Sequence, residues 1–404
     1  MANSHLLNGK GARKVPSWID GFIKSTDNLD APEIFRKWAA ISTVGSVLEQ
    51  KVWLMTSSPI FPNLYVFIVG HPASGKNRTI RAAKAYLRDL KEFKIAPISL
   101  TWASLIDALV RAKRFIARIP DEPLEYNSMM IAPEEMGAFI HKYDKEMTDG
   151  LSALYDNDLY DQERRGGEIR IKMKSPLVSI ITGCTPSNLM DFMPDSAWGQ
   201  GFTSRIIMVF SDERIVGDDF AKKASGPEAD LIHDLTIING LIGEFQVTEE
   251  YRNVVNNWRQ LDESLPDWPK PSHPKLIHYN GRRRVNIYKL SMISAIDRSN
   301  TLLLTKDDFN RAMSWLLEAE TFMPDIFKAG VSGGDSKAMD EIYHFVLSAP
   351  SGVRESKLVN FARERVPAHS VIRVIEVMER SGLIKAISYD AKTGSRMWKA
   401  TAEV

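Results

Sequence analysis

The chain has 404 residues, 44% of them hydrophobic and 25% charged, with a formal net charge of +1. That length asks for two or three domains, and so ordinary a composition excludes a long disordered tract. A charge near zero excludes a whole-molecule field that would collect nucleic acid, and the single cysteine, Cys184, excludes an internal disulfide and leaves no Cys and His spacing for zinc.

In chain order, residues 1–15 are polar, with Lys10, Arg13 and Lys14, and are expected to form a loose tail, order starting near Pro16. Asp30-Ala31-Pro32-Glu33 offers an N-cap, an early proline and a reciprocal Glu. Ile34, Trp38, Ile41 and Leu48 follow at helical spacing, so residues 1–60 read as a tail and an amphipathic helical preface. Four β-rich apolar runs, 64–69, 129–132, 177–182 and 206–210, alternate with helical or loop material across 61–213. Strands spaced by helices predict an α/β core whose parallel sheet is covered on both faces. Residues 214–328 read as mostly helical, with Ile287, Leu290, Ile293 and Ile296 on one helix face and Ala312, Leu316 and Ala319 on another. Ala329-Gly330-Val331-Ser332-Gly333-Gly334 breaks all periodicity, which marks 329–336 as a flexible linker. Three short helical stretches and two apolar runs in 337–404 suggest a winged helix-turn-helix.

The densest chemistry follows the first strand. Gly70-His71-Pro72-Ala73-Ser74-Gly75-Lys76 stands between that strand and a helical pattern with Ile80, Ala83 and Leu87, the setting of a phosphate-binding loop. Glycines let the backbone curl so that its amides point inward, Lys76 reaches the β/γ oxygens, and the helix N-terminus adds its dipole. Gly70, Ala73, Ser74, Gly75, Lys76 and Asn77 are thus the candidate nucleotide-binding set, with ATP and Mg2+ as expected ligands. Asn77 stands where Ser or Thr is usual, a change that bears on metal affinity and turnover.

Phosphoryl transfer next needs carboxylates at a strand end. Glu134, with Asn77, is assigned to the metal and Glu135 to water activation, the alternative being a solvated acidic loop. Thr185 is a candidate sensor that holds the lytic water, or else a helix N-cap. Arg205 ends Gly199-Gln200-Gly201-Phe202-Thr203-Ser204-Arg205. It either projects toward a neighbouring subunit's γ-phosphate or makes a surface salt bridge. Residues 162–172 alternate and turn like a hairpin with a basic tip. Arg164, Arg165 and Lys172 are its candidate DNA contacts, a solvated turn being the other reading.

The order of these elements, with the loop at 70–76 and Gly-Phe-x-x-Arg at 201–205, resembles the AAA+ P-loop ATPases over roughly residues 16–328. More narrowly it resembles the phage and prophage replicative helicase-like proteins. The resemblance implies a parallel-sheet AAA+ core at 61–213 and a helical lid at 214–328. It carries a second arginine sensor onto Arg284, in Arg282-Arg283-Arg284, with Lys289 as fallback. It also implies a ring, hexameric in type, with active sites at subunit boundaries and the hairpin lining the pore. The expected function is an ATP-driven helicase or translocase on single-stranded or forked DNA in phage or mobile-element replication. The alternative is a replication initiator or helicase loader that uses ATP as an assembly switch. In the C-terminal segment Arg373 and Arg380 alternate with Glu376 and Glu379, so docking of replication proteins is as open there as DNA binding. Without an apolar signal core or a membrane-length run, a cytoplasmic location with no membrane contact is expected, that of the host for a phage-encoded protein.

Overall fold

The computed structural model describes residues 11–116, 123–141, 144–163, 170–194, 197–199, 201–216, 227–264, 269–331, 337–368, 370–390 and 395–401. They fall into two units, Met1–Ile326 and Phe327–Val404.

Order in the first unit begins earlier than the expected Pro16. Arg13 donates to Ile296 O and Asp297 O at 3.1 and 3.0 Å, and the amides of Lys14 and Val15 donate to the carboxylate of Asp234. Asp297 accepts from Ser17 Oγ and Ile19 N at 2.8 and 2.7 Å. Two buried carboxylates therefore fasten a segment whose own composition offers little to bury. α1 (Trp18–Ser25) follows, capped by Ser17. α2 (Glu33–Leu48) starts after Pro32, which makes no side-chain cap bond; Asp30 pairs with Arg78 instead. Every α2 residue from Trp38 to Leu48 is buried, so α2 is an internal helix rather than the amphipathic cover its spacing suggested.

β1 (Val52–Met55) and β2 (Pro59–Ile60) form a short antiparallel pair, and β3 (Tyr65–Val69) then enters the main sheet. α3 (Lys76–Arg88), α4 (Trp102–Arg111), β4 (Lys113–Ile116) and β5 (Leu124–Ile131) come next. They are followed by α5 (Lys145–Asp156), the β6 (Tyr160–Glu163) and β7 (Arg170–Met173) hairpin, β8 (Pro176–Cys184), α6 (Pro186–Phe192), α7 (Gly201–Ser204) and β9 (Ile206–Phe210). The main sheet has the order β4-β5-β8-β3-β9, parallel except for the β4 edge. β3, β8 and β9 are buried at every residue, as apolar runs in a parallel sheet covered on both faces must be.

From α8 (Glu228–Asn239) the chain is mostly helical but carries two short strands that the sequence reading did not include. β10 (Gly243–Val247) pairs in parallel with β1 and, beyond α9 (Glu249–Ser264), α10 (Ile277–Asn280) and α11 (Arg283–Arg298), with β11 (Leu303–Leu304). The second sheet, β11-β10-β1-β2, thus joins the preface to residues that the sequence reading placed in a separate helical segment. α12 (Lys306–Val331) holds Ala329, Gly330 and Val331 in helix, while the rest of the expected linker, 332–336, lies outside the described residues.

The second unit contains α13 (Lys337–Leu347), β12 (Val353–Arg354), α14 (Glu355–Arg363), α15 (Val371–Arg380), β13 (Ile384–Asp390) and β14 (Ser395–Ala400). Its antiparallel sheet, β12-β14-β13, packs with the three helices around Ile342, Leu358, Val374, Met378, Ile384 and Trp398. No helix among the described residues is long and apolar enough to cross a membrane.

Candidate functional site

β3 delivers Gly70 to the C-terminal edge of the main sheet, where its amide donates to Cys184 O at 3.2 Å. A Cβ on Gly70 would stand 2.8 Å from Ser74 Oγ and 3.0 Å from the Phe35 ring, so the close turn requires glycine. Gly75 has φ +81°, and a Cβ there would strike Asp30 O and Ala31. The Asp30–Ala31 turn is therefore a wall of the loop. Ala73 is also left-handed, at φ +61°.

Lys76 opens α3 and is only 5% exposed. Its ammonium curls over the loop and donates to Gly70 O, His71 O and Ser74 Oγ at 2.8, 2.6 and 3.3 Å. Burial lowers its pKa, against the raising effect of Glu135 and Cys184, while burial pushes the Cys184 thiol up to about 12.

The acidic pair divides differently from the sequence assignment. Glu135 Oε1 accepts from Asn77 Nδ2 at 3.1 Å, whereas Glu134 is held by Arg81 at 2.6 Å and Lys84 at 3.2 Å. The structure thus brings Glu135, not Glu134, to Asn77, because Arg81 and Lys84, three residues apart on α3, capture the first acid. The hydrogen bond from Arg81 is the main cause that holds the Glu134 carboxyl below its ordinary 4.5. A depressed carboxyl stabilises the fold above that ordinary value, and the gain is lost as pH falls through the lower folded one. Arg81 is exposed, so Arg81→Ala should destabilise the fold only slightly near neutrality. The difference from the parent should vanish in acid, as urea unfolding across pH would read; a pH-independent difference would refute this role.

Asn77 Nδ2 is the atom that faces Glu135, while its Oδ1 is buried on the Gly183 side without a hydrogen-bond partner among the described residues. Turning the amide over would bring that orphaned oxygen to Glu135 and form a hard-oxygen pair of the kind that suits Mg2+, an ion that takes few protein ligands and completes its shell with water and phosphate. No cluster of three or more His, Cys, Asp or Glu among the described residues offers a richer metal site.

Around these groups lies a cleft of about 650 Å3, lined by the loop with Asp30, Glu135, Thr185, Asn188 and Arg214. Thr185 caps α6, accepting from Asn188 N at 3.2 Å as its N-cap reading expected, and it also lines the cleft. Asp30, Asn188 and Arg214 are cleft residues that the sequence reading missed. The available signal was positional: the ends of β3, β8 and β9 share one sheet edge, and Arg214 lies just beyond β9.

The expected arginine sensors are elsewhere. Arg205 precedes β9, at the opposite edge, roughly 16 Å of strand from the loop at 3.3 Å per residue. It is buried, pairs with Asp156 and stands over the Tyr155 ring at 5.8 Å. Arg284 is exposed and lines a separate cavity with Arg259, Arg282, Tyr288 and Lys289. Lys289 is buried and donates to Asn63 O at 2.9 Å. Arg205, Arg284 and Lys289 therefore gather near one another and not at the Gly70–Lys76 loop. In the β6–β7 hairpin Arg170 is bonded to Asp161 at 2.7 Å, Lys172 is exposed, and Arg164 and Arg165 lie outside the described residues.

No protein-family model matches the chain, and no curated protein sequence matches it.

Proposed function

We propose that the protein is an AAA+ ATPase that drives a helicase or translocase along single-stranded or forked DNA in phage or mobile-element replication. The observation that carries the ATPase reading is the convergence of Lys76, Asn77 and Glu135 in one cleft behind a left-handed glycine turn. The loop amides and Lys76 would take the phosphates, exchanging the internal carbonyls that Lys76 now binds for charged oxygens. Asn77 Oδ1, once its amide turns over toward Glu135, would hold Mg2+ there, and the bound ion would neutralise phosphate charge. Glu135, whose Oε2 is not used by Asn77, would accept a proton from the attacking water, with Thr185 to orient it. A metal role for Glu134 requires its pairs with Arg81 and Lys84 to open.

The strand order, with the glycine loop following a strand inside the sheet, supports the AAA+ assignment. Arg205 cannot reach its own chain's cleft from the far sheet edge, and a ring in which it meets a neighbour's nucleotide requires its buried pair with Asp156 to open. Three helices with a three-stranded antiparallel sheet support a winged helix at 337–404 that would dock replication proteins.

The capture of Glu134 and the amide at Asn77 favour a second reading, an initiator or helicase loader that hydrolyses ATP slowly and uses it to assemble. Hydrolysis measured with and without single-stranded DNA, together with displacement of one strand of a fork, separates them. Stimulated hydrolysis with displacement is expected of the motor; ATP-dependent assembly without displacement would give the loader, and no ATP binding would overturn both.

A further inference from the structure

The second cavity, about 630 Å3, carries Arg259, Arg282 and Arg284 against Asp156 and Asp158, three positive charges less two negative, a net +1, with the ammonium of Lys289 buried on Asn63 behind them. Counting the ion-pair partners behind the wall, Arg205 on Asp156 and Glu263 on Arg259, leaves that balance unchanged. Asp156 is shared by Arg205 and Arg282, so this carboxylate is occupied by guanidinium groups. Arg284 makes no hydrogen bond or ion pair among the described residues; the charge nearest to compensating it, Glu263, is already bonded to Arg259. The three consecutive arginines also stand at the start of α11, which has no side-chain cap. Cations are disfavoured at that positive end of a helix dipole, and an anion would relieve them.

We propose that this cavity binds the sugar-phosphate backbone of a single nucleic-acid strand, independently of the ATPase reading. Arg259 and Arg284 place a cation for each of two adjacent phosphodiesters in the same wall. A metal-bound triphosphate does not fit as well, because Asp156 is engaged by arginines and the wall lacks a glycine-rich nest of amides. Guanidinium forks suit phosphate oxygens, the Ser57 and Ser58 hydroxyls stand in the same wall, and the rings of Phe61 and Tyr288 offer faces on which a base of any identity can stack.

The test uses the full chain carrying Lys76→Ala, so that the glycine loop contributes no lysine contact and ATP turnover is not needed. Titration with fluorescent oligothymidylate should show binding. Adding Arg259→Ala and Arg284→Ala should weaken it by about tenfold or more, and should reduce the magnitude of the slope of log K against log salt by about 1.4, two single-strand phosphate contacts. Arg259→Lys with Arg284→Lys should restore the slope and confirm that the fold tolerates change at these exposed positions. Equal affinity and slope in the Lys76→Ala chain with and without the alanine pair would overturn the proposal. So would absence of binding in the Lys76→Ala chain, or full displacement of the strand by stoichiometric ATP, which would mark a mononucleotide cavity. Failure of ATP binding in the unaltered chain would overturn the ATPase reading and leave this one standing.

Discussion

Lys76→Ala is expected to lower nucleotide affinity by about a thousandfold, while Glu135→Gln leaves affinity within a few fold and slows hydrolysis by about 10²–10⁴. The first substitution removes a charge-assisted contact to two phosphates, each worth roughly 1.5–3 kcal/mol. The second removes only the base that takes the proton of the attacking water, a contribution of about that catalytic size. Lys76 already sits over the loop, bonded to Gly70 O and His71 O, so its side chain needs little reorganisation to meet phosphate. Equilibrium nucleotide titration and phosphate release must be measured separately. Equal loss of binding in both variants would refute the division of roles, and unchanged binding in Lys76→Ala would refute the site.

Arg283→Ala is expected to destabilise the first unit by about 3–5 kcal/mol, the usual result of removing one partner from a buried ion pair. The Arg283 side chain is fully buried, donates to Glu320 at 2.8 Å and to Pro269 O at 2.9 Å, and pairs with Asp262. Without it Glu320, itself 4% exposed, is left charged with the Tyr279 hydroxyl at 3.0 Å as its remaining donor among the described residues. Burial already raises the Glu320 carboxyl above its ordinary 4.5, against the lowering effect of Arg283, and loss of the guanidinium pushes it higher. A raised carboxyl penalises the fold only once it ionises, so the deficit of the variant should be smallest in acid and grow as pH rises through that folded value. Urea unfolding at several pH values reads this. Arg283→Met with Glu320→Leu should recover most of the loss, since an apolar pair of similar volume removes both buried charges. A deficit under about 1 kcal/mol for the single variant would show that the pair is not structural.

The contrast among three neighbouring arginines shows how much a sequence can say. Arg282 pairs with Asp156, Arg283 is sealed against Glu320 and Asp262, and Arg284 is exposed at a cavity. As a run they read as one basic patch. The partners that separate them lie 21 to 126 residues away in the chain, and no local pattern records those distances. The same limit hid the second sheet: β1 pairs with β10 nearly two hundred residues on, through strands too short to show alternation. It hid the fastening of residues 13–19 as well, because Asp234 and Asp297 look like ordinary helix-surface acids until the fold buries them.

The sequence by itself determined the parts whose cause is local. The runs at 64–69, 177–182 and 206–210 are strands because a parallel strand buried on both faces has to be apolar throughout. The turn at 70–76 is legible because a left-handed backbone and a close approach to Phe35 and Asp30 need glycine. Only the tertiary structure decided which acid meets Asn77, that Arg214 joins the cleft, and that Arg205 and Arg284 stand at the other edge of the sheet. These follow from strand order and from cations carried on α3 and α11. Side-chain chemistry is written in the sequence, but the partner that each charge meets is set by the path of the chain.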